Sequence, residues 1–391
     1  MPPESSASTL NRRAFLKWLI GLGGAAAAGY LARSCARRLA PTEVSPTPVP
    51  PTEMPFVPPS VTPFPPAETP GATPVETRPP TEPPPPTPTE IPWVLPTAPS
   101  KLGLHTIKPN NTYPFVKQVT EAGARVPLVK ALGGFGVLRE VKEVSPTTVT
   151  VGRWREPQDV ETEGDPAQRA AEVMGAHMVY WQNERDVTDY WELLNEPNPG
   201  TPEGHAWLAR FYMAAMEIAE ANGFRLALFS YSTGVPEWGD WAAIVETGVF
   251  ARAQAGGHIL ALHEYDWPTL RDNWSIGIPG AAPDPDRGPL AGRYRHLYRD
   301  FLIPRGEVIP LAITEFGLDR GVLRGAEMDP YWERRWLKEM AWYDSKITED
   351  DYVIGAAIFT LGGGEDWQEF DYERLLPQLY DYIVMLEERY G

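Results

Sequence analysis

From Lys101 onward the chain repeats one pattern eight times: a short, mostly apolar run, then a longer amphipathic stretch. The runs are Leu102 to His105, Val126 to Ala131, Thr147 to Arg153, Tyr190 to Asn195, Arg225 to Ser230, His258 to His263, Pro310 to Glu315 and Ile354 to Thr360. Runs this short and this apolar suit strands buried on both faces, and strands separated by helices imply parallel βαβ units. Helical periodicity falls at Ala167 to Tyr180, His205 to Asn222, Trp241 to Ala255, Gly292 to Phe301, Tyr331 to Asp344 and Leu375 to Tyr390, with Gly223 placed as a helix stop. Eight such units in roughly 290 residues favour a closed (β/α)8 TIM barrel over an open sheet.

What precedes the barrel has a different composition. Of the 44 prolines, 23 lie between Pro41 and Pro99, interleaved with Thr and Glu and without apolar periodicity. Such a segment cannot bury enough surface to offset its ordering entropy, so residues 41–100 are expected to be a disordered linker, with 101–391 as the catalytic domain. Residues 1–40 carry paired arginines, Arg12 and Arg13, ahead of a Gly- and Ala-rich apolar stretch. That order reads as an export signal and resembles the twin-arginine motif, an address read by the twin-arginine export machinery. The expected location is extracellular or at the cell surface. The stretch from Phe15 to Ala32 approaches the length of a membrane span, so a tether to the membrane is the companion expectation.

Charge and cysteine usage exclude several chemistries. With 35 basic and 52 acidic side chains the net charge is −17, which would repel a phosphate backbone, so nucleic acid is not an expected partner. The only cysteine, Cys35, lies outside the barrel, which leaves carboxylates and histidines to do the chemistry there. No phosphate-binding loop, dinucleotide fingerprint or zinc-protease motif is present, and neither a cofactor nor a metal is expected. The Gly362 to Gly364 run lacks the Lys and Ser/Thr of a phosphate loop and reads as a flexible loop at the site.

In a (β/α)8 barrel chemistry gathers where strands end. Run four ends W-E-L-L-N-E-P, placing Asn195 and Glu196 at the rim, and run seven ends L-A-I-T-E-F-G, placing Glu315 there. Strands four and seven face each other across a barrel mouth, so the two carboxylates can flank one bond. Cleaving a glycosidic bond with retention takes such a pair, ~5–5.5 Å apart, one as proton donor and one as nucleophile. Glu184 and Glu192 read instead as carboxylates that cap a strand end or pair with a neighbouring Arg. His105 and Arg153 end runs one and three, Lys130 stands one residue before the end of run two, and all three are candidates for lining the mouth.

The N-E-P and T-E-F-G segments resemble the signatures of glycoside hydrolase clan A over the whole of 101–391. That resemblance implies a retaining enzyme of cellulase, mannanase or β-glycosidase type, with Glu196 as acid/base, Glu315 as nucleophile and Asn195 bonding the sugar 2-hydroxyl. His263 and Tyr265, in L-H-E-Y-D-W, are similar to the H-x-Y of family 5, in which the tyrosine supports the nucleophile. Lys130, Arg153 and the Phe359, Thr360, Leu361 end of run eight depart from family 5.

Sugar faces stack on aromatic rings, so Trp154, Trp238, Trp267 and Trp367, each just after a strand, are candidate contacts for a poly- or oligosaccharide. Trp332, Trp336 and Trp342 are spaced for packing on a helix. Two other functions stay open on sequence alone: a non-catalytic carbohydrate-binding barrel at the cell surface, and a transglycosylase using the same pair.

Overall fold

The computed structural model describes residues 92–155, 158–322, 325, 329 and 331–391. The expected signal and the linker as far as residue 91 lie outside these residues. The described part of the linker is not free of the fold. Val94 packs on the hydrophobic core, the Lys338 ammonium sits 5.7 Å from the centre of the Trp93 ring, and the Ser100 hydroxyl accepts from the Leu102 amide at 3.1 Å. The edge of the fold therefore reaches Trp93. Among the described residues no helix is long and apolar enough to cross a membrane.

Eight parallel strands form a nearly closed barrel: β1 (Leu102–Thr106), β2 (Leu128–Leu132), β3 (Val149–Arg153), β4 (Tyr190–Glu192), β5 (Ala227–Tyr231), β6 (Ile259–Asp266), β7 (Leu311–Leu318) and β8 (Val353–Leu361). Their order around the sheet is β4-β3-β2-β1-β8-β7-β6-β5. The β4/β5 seam is closed by a single parallel bridge, Trp191 to Leu226, with the Trp191 amide donating to Arg225 O at 2.9 Å. Every expected run is a strand, which makes the (β/α)8 barrel the architecture of the chain.

The helices are α1 (Thr112–Glu121), α2 (Gly136–Val144), α3 (Pro166–Trp181), α4 (Pro202–Ala221), α5 (Trp238–Val245), α6 (Val249–Gly256), α7 (Tyr294–Leu297), α8 (Ile303–Arg305), α9 (Trp332–Ile347) and α10 (Leu376–Tyr390); a π turn at Tyr298–Leu302 joins α7 to α8. Asp165 and Thr201 start α3 and α4 by accepting the Ala167 and Gly204 amides, each followed by a proline, whose missing N–H costs nothing in a first turn. The single helix expected over Trp241 to Ala255 is two, because Gly248 turns left-handed (φ 78°) between α5 and α6.

Two cores result from this layering. Leu128, Val151, Ala227, Ile259, Ala261, Ala312 and Ala357 fill the barrel interior, and a larger cluster lies between strands and helices. Gly103 is required where β1 and β2 approach, since a Cβ there would meet Leu128 O at 2.3 Å. Above this plug the inward side chains are no longer apolar.

Candidate active site

Strand ends place the polar layer. β6 and β7 run on to Asp266 and Leu318, so His263, Tyr265 and Glu315 stand within paired strands, with His263 opposite Glu315 just after a register shift at Leu262/His263. β4 stops early, at Glu192, and Glu196 sits beyond it in left-handed backbone (φ 53°), its amide donating to Ser230 O at 3.0 Å. That conformation costs a non-glycine residue on the order of 1 kcal/mol and turns the side chain into the mouth.

Glu315 is almost wholly enclosed. Its Oε1 accepts from Lys130 Nζ at 2.9 Å and lies 3.4 Å from Arg153 Nη2 and 3.6 Å from His105 Nε2. Its Oε2 accepts from the Tyr265 hydroxyl at 3.2 Å and lies 3.6 Å from His263 Nδ1. Burial by itself would raise the Glu315 carboxyl, but His263, Lys130, His105 and Arg153 together outweigh it and hold the group well below the usual carboxylate range. Burial also drives the His105 ring well below the ordinary histidine value. Burial first, then Glu315 and Glu196, push the Tyr265 phenol well up, so it stays a donor.

Glu196 has a different setting. Its side chain is 36% exposed against 8% for Glu315, and its Oε1 lies 2.9 Å from His263 Nδ1. His263 Nε2 lies 3.5 Å from Lys130 Nζ, and since a carboxylate oxygen only accepts, the ring directs an Nδ1 proton at Glu196. Single donor atoms of Glu196, His263 and Glu315 all lie within 4.8 Å of one another. A trio of this kind also suits a small cation, yet Lys130 and Arg153 already place positive charge on Glu315 and would oppose one.

The structure thus gathers Glu196, Glu315, His263, Tyr265, Lys130, Arg153 and His105. Asn195 adjoins them; its amide donates to Gln158 O at 2.7 Å, and its buried Oδ1 meets no protein donor. The tryptophans divide. Trp154 stacks on Tyr180 of α3 at 3.9 Å, and Trp238 donates to Asp300 at 3.0 Å while packing on Phe301, so both contact the helical layer. Trp267 lies 5.4 Å from Trp332, with the Arg320 guanidinium 4.9 Å from its ring centre. Trp367 is 41% exposed and meets Phe359 edge-on at 5.2 Å; Phe359 in turn touches His105 and Tyr265, linking this indole to the centre.

Beside Trp367 is a cavity of about 350 Å³ between the ends of β1 and β8, lined by Lys108, Asn110, Gly362, Gly364, Gln368 and three acids. The glycine run on its wall is pinned, since Asp371 accepts the Gly362 and Gly363 amides at 3.4 and 3.1 Å and Lys108 donates its amide to Gly362 O.

No protein-family model and no curated protein sequence matches the chain. Solved structures similar to it include BuGH86 in complex with neoagarooctaose, at 12% identity and a TM-score of 0.45, covering 73% of this chain and 61% of that one. A β-mannanase from Thermomonospora fusca matches at 16% identity and a TM-score of 0.39, over 71% of this chain and 82% of its own. A family 1 β-glucosidase from Thermotoga maritima matches at 11% identity and 0.42, over 75% and 98%. This chain spans 61% of the first of these, and likeness of this degree is one of barrel architecture alone.

Glu192, read from sequence as a strand-end carboxylate, lies directly beneath the centre. It is fully buried, with Lys130 Nζ 2.7 Å and Arg153 Nε 3.6 Å from its Oε2. The available signal was its place inside an apolar run, W-E-L-L, where a buried carboxylate needs a partner cation.

Lys130 therefore separates two buried carboxylates. Lys130→Met should destabilise the chain by about 3–5 kcal/mol at pH 7, the usual cost of breaking a buried pair from one side. A carboxyl held below its unfolded value contributes stability above that value, near 4.5, and loses it as pH falls through the folded value. Chemical denaturation should accordingly find the deficit full at pH 7 and shrinking only below about pH 4.5, towards the folded value; a deficit that stayed constant down to the lowest pH at which the chain remains folded would contradict the ion-pair account.

Proposed function

We propose that the chain is a retaining glycoside hydrolase that cleaves the O-glycosidic bonds of a β-linked poly- or oligosaccharide. The observation that carries this reading is the pairing of Glu196 and Glu315, with oxygens within 4.8 Å and unlike surroundings. An approach this close favours the ~5–5.5 Å arrangement of a double displacement over the ~6.5–9.5 Å spacing of an inverting pair.

In the first step Glu315, kept ionised by its cations and aimed by Tyr265, attacks the anomeric carbon while Glu196 gives its proton to the departing glycosidic oxygen. In the second step Glu196 takes a proton from water, the hydroxyl adds to the anomeric carbon, and Glu315 leaves as a carboxylate. His263 holds the orientation of Glu196 through its Nδ1 proton in both steps. Asn195 Oδ1, buried without a protein donor, is placed to accept from a sugar hydroxyl, and the open face of Trp367 beside a polar cavity suits a sugar ring. The resemblance of N-E-P and T-E-F-G to clan A supports the same assignment of roles.

The test is the configuration of the first product. Proton NMR of purified protein turning over aryl β-glycosides and β-linked oligosaccharides should find the β-anomer before mutarotation; initial release of the α-anomer would overturn the retaining mechanism.

A further inference from the structure

We infer that Glu192 is a positioning residue of this centre, holding Lys130 and Arg153 where both reach the nucleophile and balancing the charge that they bring to it. The inference rests on the glycosidase reading for its kinetic readout, though not for its spectroscopic one.

The contacts form a closed ring. Lys130 Nζ stands 2.7 Å from Glu192 and 2.9 Å from Glu315, and Arg153 spans the same two carboxylates at 3.6 and 3.4 Å. Two cations and two anions thus alternate, with Glu192 and Arg153 in register on adjacent strands. The groups facing Glu192 are Lys130 from β2, Arg153 from β3, His263 from β6 and the Tyr212 phenol from α4, and the fields of Lys130, His263 and Arg153 overcome its burial to keep it ionised. Those facing Glu315 are the same two cations with His105, His263 and Tyr265.

A nucleophile needs enough positive charge nearby to stay ionised, and not so much that its lone pair is held back from carbon. With two full cations on Oε1 and nothing to share them, Glu315 would be held too tightly. Glu192 supplies the sharing. It also fixes the direction of both long side chains from below, so that neither has to be oriented by the substrate.

Glu192→Gln keeps the shape and an acceptor oxygen but removes the charge. In the full chain it should lower kcat by up to about 100-fold, with KM little changed, and move the acid limb of the pH profile to lower pH. Glu192→Asp, which restores the charge, should return the limb towards its original place. A carbon-13 titration of the Glu315 carboxyl, assigned by difference against Glu315→Gln, should move the same way without calling on activity. A purely structural Glu192 would lower the melting temperature and leave both the limb and the Glu315 midpoint where they were, which would overturn the inference. If the wild-type chain turned over no glycoside, the functional reading would fail, while the carboxyl titration would still decide the role of Glu192.

Discussion

Glu315→Ala is expected to lose turnover on every glycoside, roughly 10⁴–10⁶-fold, the range seen when one member of a catalytic unit is deleted. In the proposed mechanism both chemical steps pass through this carboxylate, so no choice of leaving group can compensate. The substitution also empties a small space on the side of the anomeric carbon opposite the leaving group, beside Lys130 and Arg153, whose charges favour an anion. Azide should enter there and attack directly, giving a glycosyl azide of inverted configuration. The fold should survive, because the change removes one of two buried carboxylates and leaves Glu192 to pair with both cations. Rates on activated substrates with and without azide, and the configuration of the azide product, are the measurements. Unaltered turnover, or rescue to a retained product, would remove Glu315 from the role of nucleophile.

Glu196→Ala should behave differently, because both acts proposed for it are proton transfers. On unactivated linkages the loss should be ~10²–10⁴-fold. Aryl glycosides with acidic leaving groups need little protonation, so the first step should persist and the intermediate should accumulate as a burst, since no base remains to activate water. Azide needs no base and should release the glycosyl group with retained configuration. Equal loss on activated and natural substrates, without a burst and without rescue, would assign Glu196 some other task. In this variant the oxygen left near His263 Nδ1 is Glu315 Oε2, 3.6 Å away.

Much of the barrel and its centre was legible because two periodicities carry the information. Apolar runs marked the strands, and the residues at or just before the end of each run marked the rim, which is how His105, Lys130, Arg153 and Glu315 came to notice. The same rule fails for the face of a side chain just past a strand end, because one residue of register separates inside from outside. Arg153 points in, so Trp154 points out onto Tyr180, and Trp238 belongs to the packing of α5 against Asp300 and Phe301. Glu192 was undervalued for a related reason: a carboxylate inside a strand looks like an isolated charge until the neighbouring strands supply Lys130 and Arg153. The break at Gly248 was within reach, since glycine is the residue that adopts that backbone without strain.

The seam between β4 and β5 gives the barrel a mechanical asymmetry. Glu315 stands within β7, which pairs with β6 on one side and β8 on the other, whereas Glu196 hangs beyond the end of β4, next to the one junction held by a lone bridge. Small opening fluctuations concentrate where hydrogen bonds are fewest. In the proposed mechanism the residue on this more compliant side of the mouth, Glu196, is the one that must serve first a sugar oxygen and then a water.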